Sequence, residues 1–381
     1  MRIWASIASG IVGLAVVVFL IANRERNAAE AGLGTDTYQV ITEHPLGKFH
    51  YTWLTPISDL ASMFQQRLEL PKKILWLAAS QAYAINDPQP GDANVTYHVF
   101  SALAHDGLDV VNASIPNAYP EEFEILLQYA LANGRLDGLI IGAVYDDMRE
   151  NGIRPWVSEA VPEIRAQLAA TDHGRSMLAK FPLDEKLADH ASSAQGKEPD
   201  NQNVANRVEK QLNETLDHYL GMETIRAEGR AKVLLTLQKL RQFVESLRAR
   251  YTRDLSNYRV PILPERYRAN WEAWRDMLTI ARARNVPVLI YIAPRPTDFF
   301  PYDLNAYETF KSDLTALAVE FGAHIINIED VVPNDDWGYV DVNFGFPVRD
   351  PFHFNGMGHR LMADALVPQI RKFFLRKQTP Q

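Results

Sequence analysis

A chain of 381 residues, 47% of them hydrophobic and 23% charged, has the composition of a globular protein and the length for one large domain or two ordinary ones. A formal net charge of -8 at pH 7 argues against nucleic acid as the main partner, since phosphate contacts call for a basic surface. The lack of cysteine excludes disulfides, thiolate nucleophiles and cysteine-ligated metals together.

Taking the chain from its start, residues 3–22 form an apolar run broken only by Ser6, Ser9 and two glycines. A helix of about 20 residues spans the hydrocarbon core of a bilayer, so residues 1–26 are expected to form a transmembrane anchor with its flanks. A signal peptide cleaved near Ala29-Glu30-Ala31 is the competing reading. Arg2 on one side and Arg24-Glu25-Arg26 on the other leave the orientation open. Residues 27–55, which begin with a polar stretch, read as a tether.

Next comes a helical pattern (Ile57, Leu60, Ala61, Phe64, Leu68) that ends at Pro71. Five short apolar runs of the buried parallel-strand kind follow, at 72–79, 108–111, 139–144, 286–292 and 323–328. Helical patterns separate them, and a last amphipathic one (Leu361, Ala365, Leu366, Ile370, Phe373, Phe374) closes the chain. Alternating strands and helices predict an α/β fold, a flavodoxin-like doubly wound parallel sheet in three layers. Its two parts lie at 56–155 and 286–381. Between them, residues 156–285 read as a helical insertion or cap: helical at 156–180, a polar loop at 184–206, then two helices carrying Val208, Leu212, Leu216 and Val233, Leu237, Leu240.

Ligands of such a sheet sit at the carboxyl ends of its strands, which singles out Ser80, Asn112, Ser114, Asp146, Asp147, Arg295 and Asp298. Asp350 and His353 stand three apart, where Pro351 and two glycines disfavour helix. A turn there is expected to aim both side chains the same way, with the carboxylate fixing the imidazole tautomer and freeing the other ring nitrogen as a base. That spacing often arises by chance, and its place just ahead of the last helix is what favours function. Ser80 ends the first strand after the small residues Ala78 and Ala79; a helix-capping role is the bland alternative. The cluster Asp146, Asp147, Arg149 and Arg154 reads as a polar substrate contact or as a salt-bridged loop. Arg295 and Asp298 read as rim contacts or a charged turn, and His324 and His359 as structural. No ligand spacing points to a metal, and no glycine-rich loop points to a phosphate cofactor.

A serine directly after the first strand, with Asp350-Pro351-Phe352-His353-Phe354-Asn355-Gly356-Met357-Gly358 before the last helix, resembles the layout of the SGNH (GDSL-type) hydrolases and acyltransferases. The resemblance covers residues 72–150 and 286–375 and leaves the insertion aside. It implies that Ser80 attacks an ester carbonyl, His353 takes and returns the proton, and Asp350 orients His353. The chain departs from the family where Ala78-Ala79-Ser80 replaces the usual Gly-Asp-Ser. Ser114 stands where a glycine N–H usually serves the oxyanion, and Asp146 where an asparagine usually does. A carboxylate cannot donate unless protonated, so either that donor is absent or Asn112, Arg149 or the Ser114 hydroxyl replaces it. These departures are similar to the membrane-tethered D-alanyl transfer proteins and the alginate O-acetyltransferase group. That likeness implies a single-pass protein of the cytoplasmic membrane with its catalytic domain outside (periplasmic). Its partners would be an acyl donor, an envelope glycan or polymer, and a multispanning membrane acyltransferase, with no cofactor. Two other readings stay open: a catalytically silent scaffold of an envelope complex, and a simple lipase or esterase with a broad apolar acyl pocket.

Overall fold

The computed structural model describes residues 37–52, 55–67, 69–180, 262–298, 300–342 and 346–375. The expected anchor at 1–26, the start of the tether and the insertion at 181–261 lie outside these residues. Among the described residues, no helix is long and apolar enough to cross a membrane.

In chain order the strands are β1 (Thr37–Gln39), β2 (Lys72–Leu77), β3 (Ala84–Asn86), β4 (Leu108–Asn112), β5 (Gly138–Ala143), β6 (Val288–Ile292), β7 (His324–Asn327), β8 (Trp337–Val342) and β9 (Phe346–Phe354). The described helices are α1 (Ser58–Gln65), α2 (Val95–Ala104), α3 (Pro120–Asn133), α4 (Pro155–Ser158), α5 (Val161–Leu168), α6 (Asp172–Lys180), α7 (Pro264–Ala283), α8 (Leu304–Phe321) and α9 (Gly356–Leu375). The central sheet has the order β4-β2-β5-β6-β7 with every pair parallel, as the five apolar runs lead one to expect.

Both sheet faces are covered, which is why its strands read as continuous apolar runs. Leu75, Leu77, Leu139, Ile141 and Ile290 pack in one core with α1, α3, α7 and α8. Ile74, Trp76, Ile140 and Leu289 pack in the other with α2 and α9. Three layers result. The chain leaves β2 toward β4 and then crosses back to β5, so the strand order reverses between β2 and β5. A crevice forms outside the carboxyl ends of the strands at such a reversal, and that is where Ser80 follows β2.

Two expectations need correction. Residues 37–52, read as part of a tether, belong to the folded domain. There β1 pairs antiparallel with β3, and Asn112 N donates to Phe49 O (2.8 Å) while Tyr51 N donates to Asn112 O (2.7 Å). Phe49 and Tyr51 are buried, and burying two aromatic rings outweighs the freedom of a solvated linker. In addition, α7 was placed in the insertion but is a layer helix that leads into β6. Ala273, Trp274, Met277, Leu278 and Ala281 recur at helical spacing and pack on the sheet core. The α/β fold therefore resumes near residue 264 rather than at 286.

Candidate active site

Beyond Leu77 the chain runs through Ala78 and an extended Ala79 into a short 3-10 turn, Ser80–Ala82, with Ser80 at its head. The Ser80 Oγ lies 2.9 Å from His353 Nε2, and His353 Nδ1 lies 2.8 Å from Asp350 Oδ2. All three residues are buried. Since an ionised carboxylate only accepts, Nδ1 carries the imidazole proton, and Nε2 presents its lone pair to the serine hydroxyl.

The element that carries Asp350 and His353 is a strand, not the expected turn. In an unbroken strand, residues three apart point to opposite faces. Here β8 and β9 pair antiparallel with Trp337 opposite Phe354 and Tyr339 opposite Arg349, so Gly338 alone faces residues 350–353. The extra residues bulge out of the ladder, and inside the bulge Asp350 Oδ1 accepts from the N–H groups of Phe352 (2.9 Å) and His353 (3.2 Å). The bulge achieves the side-chain convergence that the expected turn was meant to supply.

The Asn86 side chain stabilises this bulge from β3. It donates to Tyr339 O (2.9 Å) and accepts from Tyr339 N (3.2 Å), as a paired strand would. Gly338 permits that approach, because a Cβ there would sit 1.9 Å from Asn86 Cγ. The Asn86 amide also donates to Thr37 Oγ1 (2.9 Å), whose hydroxyl donates to Asp350 Oδ2 (3.3 Å). Gln81, next to Ser80, donates to Pro294 O (3.0 Å) and Phe352 O (3.2 Å), tying the 3-10 turn of Ser80 to the loop after β6 and to the bulge. Thr37, Asn86, Gln81 and Gly338 are not among the residues that the sequence singles out. Only Gln81 carried a signal, its place beside Ser80.

The other candidates are placed as follows. Asn112 and Ser114 are buried and bonded to each other: Asn112 Oδ1 accepts from Ser114 N (3.1 Å) and Ser114 Oγ (2.5 Å). The Asn112 amide in turn contacts His50. The donors expected to serve an oxyanion are thus committed to holding the end of β4. Asp146 lines a small cleft at the ends of β2, β5 and β6, together with Gln81, Arg295, Phe300, Tyr302 and Phe352. It accepts from Tyr302 Oη, and Arg149 Nε stands 3.3 Å from the same carboxylate oxygen. Burial raises the Asp146 carboxyl above its usual range despite Arg149. Arg149 is therefore an ion partner of Asp146. Arg154 binds Glu122 and the carbonyl of Pro116 and stacks on Tyr119 and Trp156, a structural clamp on the loop after β4.

Arg295 lines the cleft while its Nε donates to Glu329 (3.0 Å), and it lies over the rings of Phe300 and Tyr307. Burial would raise the Glu329 carboxyl, but Lys311, Asn327, Tyr307 and Arg295 together hold it down to about 2. Asp298 pairs with Arg349 on the strand of the bulge (2.9 Å). His359 is buried, accepts from Val95 N and donates to Ala84 O, both at 3.1 Å.

Two further backbone donors follow the carboxyl ends of β2 and β4. The N–H of Ser80 heads the 3-10 turn, where no partner within the turn exists. Asn117 turns the chain after β4 with a left-handed backbone (φ 46°). Arg154 holds the carbonyl of Pro116, so in a trans peptide the N–H of Asn117 points the opposite way.

No protein-family model matches the sequence, and no curated protein matches it. Solved structures that the chain matches include a GDSL-like lipase from Bacteroides thetaiotaomicron, 10% identical, matched over 83% of this chain and 95% of that one with a TM-score of 0.37. An acetylxylan esterase from Geobacillus stearothermophilus is 9% identical over 81% of this chain and 97% of that one, with a TM-score of 0.38. A carbohydrate esterase family 2 enzyme from Corynascus thermopiles is 9% identical over 79% and 66%, with a TM-score of 0.32. What the site can do rests on its own distances.

Proposed function

We propose that the protein is a serine acyl-ester enzyme, an esterase or O-acyltransferase, whose substrate is an ester borne by a cell-envelope glycan or polymer. The observation that carries this reading is the chain of two buried hydrogen bonds from Ser80 Oγ through His353 to Asp350. His353 Nε2 removes the hydroxyl proton as Oγ adds to the ester carbonyl, and Asp350 stabilises the imidazolium that forms. The N–H of Ser80, at the head of the 3-10 turn, is the donor offered to the tetrahedral oxyanion. On collapse His353 returns its proton to the leaving alkoxide oxygen, and the acyl group stays on Ser80. Water or a sugar hydroxyl then reverses these steps and releases the acyl group as an acid or a new ester. The small cleft, with Asp146 and Arg295 among its walls, favours a short acyl group over a lipid chain. The envelope substrate, the membrane location and a multispanning partner are supported by the motif's resemblance and by the apolar run at 3–22.

A fluorophosphonate probe tests the chemistry, since it labels only an activated serine. Labelling is expected on Ser80 and is abolished by Ser80→Ala and by His353→Ala, with the melting temperature retained. A well-folded wild type that takes no label sinks the enzyme reading. That outcome would favour the scaffold reading, which the commitment of both Ser114 donors to Asn112 supports.

A further inference from the structure

We infer that Thr37 is a positioning residue of the triad, so that β1 completes the active site from the N-terminal side of the domain. This inference rests on the acyl-ester reading of Ser80, His353 and Asp350. Tyr339 N–H must meet the oxygen of the Asn86 amide, so the nitrogen of that amide faces Thr37. Thr37 Oγ1 accepts from Asn86, which leaves its single proton free to donate, and the atom it faces is Asp350 Oδ2. Asp350 thereby receives four donors: Thr37 Oγ1 and His353 Nδ1 on Oδ2, and the N–H groups of Phe352 and His353 on Oδ1. A carboxylate oxygen shared by Thr37 and His353 has its position set by both. Thr37 is itself fully buried, and its backbone is paired opposite Asn86.

This arrangement has a chemical consequence. A donor on Oδ2 spreads part of the Asp350 charge away from the imidazole. Without it, the carboxylate holds an imidazolium more strongly, and His353 gives up its proton less readily. The carboxylate also loses one of the two donors that hold Oδ2. Because β1 is a three-residue strand, docked on the equally short β3, the triad depends on an element of low intrinsic stability.

The experiment measures the rate of fluorophosphonate labelling against pH in the full chain carrying Thr37→Val, Thr37→Ala or Thr37→Ser. Valine and alanine are expected to lower the plateau rate about tenfold, the size of one charge-assisted hydrogen bond. They are also expected to move the acid limb of the profile to higher pH, whereas serine restores both plateau and limb. A purely structural role lowers the plateau but leaves the limb in place. The inference is overturned if the limb is unmoved in whichever of the valine and alanine proteins keeps the wild-type melting temperature, or if serine fails to rescue. A wild type that takes no label removes the parent reading and this inference with it. A labelled wild type with an unmoved limb removes this inference alone.

Discussion

Asp146 sets the most specific test at the scale of single residues. It stands in the cleft between the neighbours of Ser80 and His353, and its carboxyl is raised above the usual range by burial. Its proton is therefore lost later than that of a free aspartate, and an anion appears within electrostatic reach of His353 only as pH rises through the raised value. Negative charge on Asp146 opposes negative charge on the tetrahedral oxyanion. At an effective dielectric of about 20 and a separation of several ångströms, that opposition is worth on the order of 1–2 kcal/mol. Asp146→Asn keeps an oxygen to accept from Tyr302 and removes the charge. The variant is expected to label like wild type at acid pH and roughly tenfold faster on the alkaline side. Profiles that superimpose across the whole range would show that Asp146 lies too far from the oxyanion to matter.

At the scale of elements, the bulge in β9 decides whether the triad exists. Four of the five sheet strands are legible because burial on both faces leaves an unbroken apolar run, whereas the edge strand β7 reads as a strand although His324 and Asn327 are exposed, and Ser80 is legible because it ends one of the buried four. Asp350 and His353 are legible as a pair. Their platform is not, because the bulge is a shift in the register of β9 against β8, which the spacing of residues along one strand does not encode. Thr37 and Asn86 are invisible for the same reason: each acts through a contact that no local spacing encodes. Ser114 and Asn112 illustrate the converse. They are well placed by position in sequence, yet their donors are turned onto each other in the fold. Gly338→Ala tests the platform directly. The added Cβ cannot coexist with Asn86 at 1.9 Å, so the Asn86 side chain must leave Tyr339 and Thr37. An overpacking cost of about 1–3 kcal/mol is expected in urea unfolding, together with a fall in Ser80 labelling greater than the loss of folded protein explains. Labelling that tracks the folded fraction alone would show that the bulge survives without Asn86.

At the scale of the whole molecule, two groups of charged residues stand at opposite ends of the central sheet. The carboxyl ends of β2, β5 and β6 carry the site, whereas the amino ends of β2 and β4 carry a buried ion cluster. There Asp109 accepts from Arg67 Nε (2.9 Å) and from Lys73 Nζ (2.7 Å), and Lys73 is paired opposite Asp109 in the ladder. Asp109 is fully buried and Arg67 nearly so, which makes the cluster a matter of folding rather than of chemistry. Removing the carboxylate leaves two cations without their shared partner inside the domain, a loss of about 3–5 kcal/mol where an ion pair is broken from one side. The strands between the two ends are rigid and tightly packed, and distant sites with no shared partners act additively. Asp109→Ala is therefore expected to lower the unfolding free energy by that amount while Ser80 in the remaining folded protein labels at the wild-type rate. Combined with Gly338→Ala, it should add its full stability cost without deepening the labelling defect. Urea titrations and labelling time courses on the single and double variants measure both quantities, and a labelling rate that falls with Asp109→Ala alone would mean that the two ends of the sheet are mechanically coupled.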